Sequence, residues 1–273
     1  MVYNINYNDK RLNVARSRLW RLNQSWVCAI IGGLGSGKSW AALEIADYIM
    51  SGRFVANTHV FFKIKDFIRA VKEGKIKRGD CIILDEVGIS FSSRASMSKA
   101  NRAMSAVFQI MRFKNFAVIM TVPSLKLIDV VGRDVLNVVL ETKKMNREEE
   151  YSVCKYKICQ HDAMQGKTYR KYARWRDIDG EIKRFPNIKI YKPRQELITP
   201  YEAMKREYAD AKGGLFDEID GILNKQISDG YESTKQGIEL TCKNNHTWLY
   251  KGTKPFARCP DCAVRVAVVV VSH

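Results

Sequence analysis

The sequence is short of acid. Its 273 residues include 29 Asp and Glu against 46 Lys and Arg, a formal net charge of +17. Such a balance implies an acidic partner, most simply nucleic acid, or an anionic membrane face. Long apolar runs are also missing. The longest, around VAVVVV near the C-terminus, is too short to span a membrane, so no membrane span is expected. The first residues, MVYNINYNDKRL, lack the apolar core of a secretory signal, so a cytoplasmic location is expected. No internal repeat is visible. The seven cysteines are then expected to be thiols or metal ligands rather than disulfides. The length allows one sizeable core with appendages.

Glycine is present where it is useful. In IIGGLGSGKSW, Gly32, Gly37, Lys38 and Ser39 fit the pattern G-x-x-x-x-G-K-S. The preceding WVCAII, Trp26 to Ile31, reads as a buried parallel strand. The following residues place Ala41, Ile45, Tyr48 and Ile49 at helical spacing. Strand, glycine loop and helix form the context a phosphate-binding loop requires. Gly32, Gly33, Leu34, Gly35, Ser36, Gly37, Lys38, Ser39 and Trp40 are the expected nucleotide-binding residues. Backbone N–H groups and the helix N-terminus would face the phosphates. Lys38 would reach the β- and γ-phosphates of ATP, and the Ser39 hydroxyl would bind Mg²⁺.

A second motif, GDCIILDEVG, ends an apolar strand, Cys81 to Leu84, in two acids. Carboxylates at such a position are costly unless they have work there. Asp85 suits the Walker B role of holding Mg²⁺ through water, and Glu86 the general base that polarises the attacking water. The pair favours a hydrolase over a kinase. Strands and helices alternate along the first half of the chain: strand 26–31, helix 38–50, a strand near 54–62, helix 65–73, strand 81–85, helix 98–112, strand 116–121, helix 124–130 and strand 135–141. This alternation predicts α/β architecture with a mainly parallel sheet covered on both faces. Thr121 ends the apolar strand FAVIMT.

The spacing from GSGKS through ILDEVG to MRFKNFAVIMTVPSLKLID, roughly residues 25 to 141, resembles the FtsK/HerA superfamily of DNA-pumping ATPases. It is closer to the small Zot-like and archaeal virus or plasmid members. The resemblance implies a RecA-like P-loop NTPase fold and a homo-oligomeric ring, such as a hexamer. It also implies an arginine finger from the neighbouring subunit, with Arg112, Arg133 and, third, Arg94 in matching positions. In ring ATPases with the catalytic acid on a neighbouring strand, a polar residue at the position of Thr121 contacts the γ-phosphate, and the resemblance implies that role for it. One departure is that the usual sensor Gln falls on Val122, leaving that role to Thr121.

From about residue 150 the pattern changes. EYSVCKYKICQ and KTYRKYARWRDI read as a β-hairpin, and EIKRFPNIKIY as a third extended piece. Residues 151–195 hold twelve Lys or Arg against four acids. Arg170, Lys171, Arg174 and Arg176, interleaved with Tyr169, Tyr172 and Trp175, could follow a phosphate backbone by charge while the rings stack. The other reading is an edge hairpin whose lysines prevent aggregation. The charge excess favours DNA. TPYEAMKREYADAK predicts a helix capped by Thr199, with Pro200 at its first position and Glu202 closing a capping box. A further helix is expected near 215–228.

At the C-terminus, Cys242-x3-His246 is followed after twelve residues by Cys259-x2-Cys262. Four such ligands in two pairs suit tetrahedral Zn²⁺. The stretch resembles zinc ribbons of the form C-x2-C…W-x-Y-x-G…C-P-x-C, with Trp248, Tyr250 and Gly252 in place and His246 standing for the usual second Cys. Cys154, Cys159 and His161 read as strand residues, and Cys28 and Cys81 as core thiols.

The expected organisation is a basic N-terminal arm (1–25), a P-loop ATPase domain with the basic β extension (26–200), a helical segment and linker (201–236) and a zinc-ribbon module (237–273). The expected activity is a Mg²⁺-dependent ATPase that translocates double-stranded DNA, in viral genome packaging or plasmid transfer, with a capsid or transfer-machine protein as partner and a possible place in the virion. Two alternatives stay open: a replication-initiation or helicase-loading switch, and a Zot-like morphogenesis ATPase acting on a protein machine.

Overall fold

The computed structural model describes residues 9–86, 114–128, 130–162, 164–176, 179–210, 238–250 and 256–267. The chain divides into two compact units, 1–209 and 210–273.

In the first unit, helix α1 (Lys10–Trp20) starts on Asp9, whose side chain accepts from the Arg11 N–H at 2.8 Å. Leu12, Ala15 and Leu19 give it one buried stripe. Strand β1 (Trp26–Ile31) leads through the glycine loop into α2 (Lys38–Ile49). The short α3 (Ala56–His59), β2 (Val60–Phe61), α4 (Ile64–Lys72), β3 (Cys81–Leu84) and β4 (Ala117–Val122) follow. A 3₁₀ turn (Leu125–Leu127) and α5 (Val130–Asp134) then precede β5 (Val138–Asn146).

The strands run in the order β2-β3-β4-β1-β5, all parallel. β4 therefore lies between the strand that feeds the glycine loop and the strand that ends in Asp85. This is a mixed α/β architecture compatible with a RecA-like fold. Because both faces are covered, β1 buries both sets of side chains. Cys28 and Ile30 pack with α1 and α2, while Val27 and Ala29 pack with Phe67 and Ala70 of α4. This is why the strands read as continuous apolar runs rather than alternating ones.

Beyond β5 the sheet turns antiparallel. β6 (Tyr151–Asp162) pairs with β5, with β7 (Lys167–Arg176) and with β9 (Asn187–Tyr191), and β7 pairs with β8 (Ile182–Phe185). The register shifts between Thr142 and Lys144, a bulge in β5. Helix α6 (Gln195–Asp210) closes the unit and buries Leu197, Ile198 and Tyr201.

Local expectations differ from this structure in three places. The strand near 54–62 is α3 followed by a two-residue strand, because the residues before Val60 curl into a helical turn. The expected helix at 124–130 is a 3₁₀ turn capped by Ser124, followed by α5. The helix expected from Thr199 begins at Gln195, with Pro200 inside it. Burial of Leu197 and Ile198 and the anchoring of Arg194 on Asp47 override the capping signals at Thr199. The helices expected at 98–112 and 215–228 lie outside the described residues.

The second unit holds two short antiparallel pairs, β10 (Ile238–Thr241) with β11 (Thr247–Tyr250) and β12 (Phe256–Arg258) with β13 (Arg265–Ala267). No helix among the described residues is long and apolar enough to cross a membrane.

Candidate functional site

The glycine loop links β1 to α2. Gly37 precedes the helix at φ +85, and a Cβ there would sit 2.6 Å from Ser152 Oγ. Gly32 has φ +153, and a Cβ there would collide with Thr142 Oγ1. Both positions need glycine for conformation and for space. Thr142 Oγ1 donates to Ser36 Oγ at 2.7 Å and to the Ile31 carbonyl at 3.1 Å. Lys38 Nζ turns back onto the loop, donating to the Gly32 carbonyl at 3.0 Å and the Gly33 carbonyl at 2.7 Å. Burial pulls its pKa down, Glu86 and Asp85 pull it up, and Lys205 adds repulsion.

Asp85 is fully buried at the end of β3. Three hydroxyls surround its carboxylate. Ser39 Oγ donates to Oδ1 at 3.1 Å, Thr121 also donates to Oδ1, and Tyr201 donates to Oδ2 at 2.6 Å. The parallel registers bring Thr121 there: Ile30 lies beside Thr121, and Leu84 beside Met120. Burial, and then the Asp85 charge, push the Tyr201 phenol well above its ordinary range. Glu86 follows with φ +55, a left-handed conformation uncommon for a residue with a side chain. Its N–H donates to Thr121 Oγ1 at 3.1 Å, and its carboxylate receives Lys205 Nζ at 2.7 Å.

An open cavity of about 350 Å³ lies over these groups. Residues 34–40 of the loop, Glu86 and Met145 line it, and α6 adds Tyr201, Glu202 and Lys205. The residues expected from the two sequence motifs and Thr121 thus come together. The α6 residues were not expected there. Tyr201 and Lys205 stand four apart on a helix that the sequence does announce, so they share a face, but nothing local says what that face meets.

Arg133 lies in α5, away from the cavity lining. Arg94 and Arg112 lie outside the described residues. Arg170, Lys171, Arg174 and Arg176 are all exposed on β7, whereas Ala173 between them is buried. Cys28, Cys81 and Cys154 are buried, with burial pushing the Cys81 thiol above its ordinary range and the Cys154 thiol up to about 12. His161 lies 3.6 Å from Asp134.

In the second unit, Cys242, His246, Cys259 and Cys262 offer ligand atoms that all lie within 4.8 Å of one another. Cys242 Sγ and Cys262 Sγ are 3.6 Å apart, and Cys259 Sγ is 3.7 Å from His246 Nδ1. Each pair sits on a tight turn: the Asn245 N–H donates to the Cys242 carbonyl at 2.9 Å, and the Ala263 N–H to the Cys259 carbonyl at 2.9 Å. The Val264 N–H, followed by His246, pulls the Cys262 thiol down to about 6.

No family model and no curated protein matches the chain. Among solved structures, the N-terminal domain of zonular occludens toxin from Neisseria meningitidis is similar with a TM-score of 0.35 at 14% sequence identity. The likeness covers 54% of this chain and 94% of that domain.

Proposed function

We propose that the chain is a Mg²⁺-dependent ATPase of the FtsK/HerA and Zot-like kind that translocates double-stranded DNA as a homo-oligomeric ring. The observation that carries the nucleotide reading is the meeting of Ser39, Asp85 and Thr121 under the glycine loop, 3.1 Å separating the Ser39 and Asp85 oxygens. That hydroxyl and carboxylate suit a hard cation with several waters of its own. Bound there, Mg²⁺ would offset charge on the phosphate oxygens.

The chain's own residues account for the other steps. Loop N–H groups and the N-terminus of α2 receive the phosphates. Lys38 leaves the Gly32 and Gly33 carbonyls for the β- and γ-phosphate oxygens. Glu86 accepts a hydrogen bond from the attacking water and takes its proton as the oxygen bonds to phosphorus and ADP departs. Thr121, between Asp85 and the Glu86 N–H, reports the loss of the γ-phosphate to the backbone.

The charge excess and the exposed cations of β7 support DNA as the substrate of the motion. The ring, the finger in trans and the process served rest on resemblance alone. The four ligand atoms of the second unit suit Zn²⁺. Tetrahedral thiolate coordination at about 2.3 Å puts sulfurs about 3.8 Å apart, near the 3.6 Å between Cys242 Sγ and Cys262 Sγ. A structural zinc would tie the two hairpin turns together.

The decisive assay measures ATP hydrolysis with and without duplex DNA over a salt series. Hydrolysis abolished by Lys38→Ala and by Glu86→Gln, and stimulated by DNA in a salt-sensitive way, supports the motor. Turnover by Glu86→Gln within a few-fold of wild type would overturn the general base. Stable nucleotide-dependent assembly with little turnover would favour the loading switch.

A further inference from the structure

The motif residues leave one part of the cavity unexplained: the face of α6 that fills it. Tyr201 is buried, and its hydroxyl is fixed on Asp85 at 2.6 Å. One turn later, Lys205 Nζ lies 2.7 Å from Glu86 Oε1 and 3.9 Å from Asp85 Oδ2. Another turn on, Tyr208 stacks on Phe62 with ring centroids 5.0 Å apart and planes 6° from parallel. At the start of the helix, Arg194 grips Asp47. The helix is thus anchored before and after Lys205, while the Lys205 side chain is 38% exposed and ends in the cavity.

We infer that Lys205 is a phosphate ligand in cis: when nucleotide enters, its ammonium leaves Glu86 for the terminal phosphate, and Glu86 is freed for water. This rests on the nucleotide reading above.

Three features carry it. First, among the described residues the charged lining is Lys38, Lys205, Glu86 and Glu202, two cations against two acids. A triphosphate adds several negative charges to a cavity that both lysines line. Second, Glu86 accepts from Lys205 through a carboxylate oxygen, the kind of oxygen it needs for water, so the ion pair and water activation compete. A move of the ammonium to phosphate removes that competition only in the state that holds the γ-phosphate. Third, the move needs no backbone change. A lysine ends in a compact point charge on a flexible four-carbon stem, and Tyr201 and Tyr208 hold the backbone on either side. Lys205 would thereby supply locally the charge otherwise sought from a neighbouring subunit.

The test compares binding of a fluorescent non-hydrolysable ATP analogue and of fluorescent ADP, both with Mg²⁺, to full-length wild type, Lys205→Ala and Lys205→Arg. A lost charge-assisted contact to the γ-phosphate is expected to weaken the triphosphate analogue by about 10- to 100-fold, and ADP by less than about 2-fold. Lys205→Arg is expected to keep most of the preference. The thermal midpoint without nucleotide is expected to stay within a few degrees of wild type, because the side chain is partly exposed. Equal losses for both nucleotides, or none, would overturn the proposal while leaving the site intact. Unchanged analogue binding with faster hydrolysis in Lys205→Ala would also overturn it, and make Lys205 a lock on Glu86. Wild-type protein that binds neither nucleotide would remove the nucleotide site itself, and the proposal with it.

Discussion

Arg194 and Asp47 form a two-point ion pair, Nε to Oδ2 and Nη2 to Oδ1, each at 3.1 Å. Asp47 is buried in α2, the helix that begins at the glycine loop, while Arg194 immediately precedes α6. The same guanidinium donates to the Gly52 carbonyl at 3.1 Å. One contact therefore joins the helix that starts at the glycine loop to the helix that lines the cavity over it.

Removing the cation leaves a buried carboxylate without its partner, a change that costs about 3 kcal/mol or more. Arg194→Ala is expected to lower unfolding stability by about that amount, and to weaken ATP and ADP equally by loosening α6. Urea denaturation checks the first half. An Arg194→Ala variant as stable as wild type would show that the pair does not anchor the helix.

Glu44, also on α2, gives a pH signature. Burial, followed by repulsion from Asp47, raises its carboxyl from 4.5 to about 7. Below pH 4.5 the group is protonated whether folded or unfolded, and contributes nothing. Between 4.5 and 7 the unfolded chain releases its proton while the folded chain keeps it, so stability falls as pH rises through this window. Glu44→Gln removes the penalty. The variant is expected to be more stable than wild type by about 3 kcal/mol at pH 8, with the difference vanishing near pH 4.5. A difference that stays flat with pH would show that Glu44 titrates normally.

If a neighbouring subunit supplies a finger, Arg112→Ala or Arg133→Ala should bind ATP normally and hydrolyse it slowly. Mixing either variant with Glu86→Gln protein should restore part of the activity, since each chain supplies what the other lacks at a shared interface. Full activity from a strictly monomeric enzyme would sink the ring.

Elemental analysis is expected to find one Zn²⁺ per chain. Thiolate ligands must lose their protons to bind metal, and a small module draws folding energy from it. Chelation or Cys259→Ser should therefore unfold residues from about 238 onward, read by protease sensitivity, while residues 1–209 stay folded and bind nucleotide. A chain free of zinc, with reactive thiols at Cys242, Cys259 and Cys262, would end the zinc reading.

The sequence was most legible where chemistry and backbone coincide. The glycine loop needs Gly32 and Gly37 for its shape, Lys38 and Ser39 sit at fixed offsets from them, and Asp85 ends a strand whose apolar run is itself visible. The parallel core followed from continuous apolar strands alternating with amphipathic helices. The Cys and His spacing likewise foretold a cluster.

What stayed hidden depends on distant pairing. The helix at Gln195 starts earlier than its local caps suggest because Arg194 finds Asp47, 147 residues away in sequence. Tyr201 and Lys205 look like ordinary helix residues until the helix is laid over Asp85 and Glu86. Thr142 sits in a strand whose bulge has no local signature, and its contact with the glycine loop spans 106 residues.

That contact gives β5 two loads. The strand pairs on one side with β1 and on the other with β6, the first strand of the basic ribbon. Its Thr142 hydroxyl touches Ser36 in the glycine loop, and its oxygen fills the space a Cβ on Gly32 would need. One strand thus joins the antiparallel ribbon to the glycine loop. A displacement of β6 would therefore reach the glycine loop through a single hydroxyl.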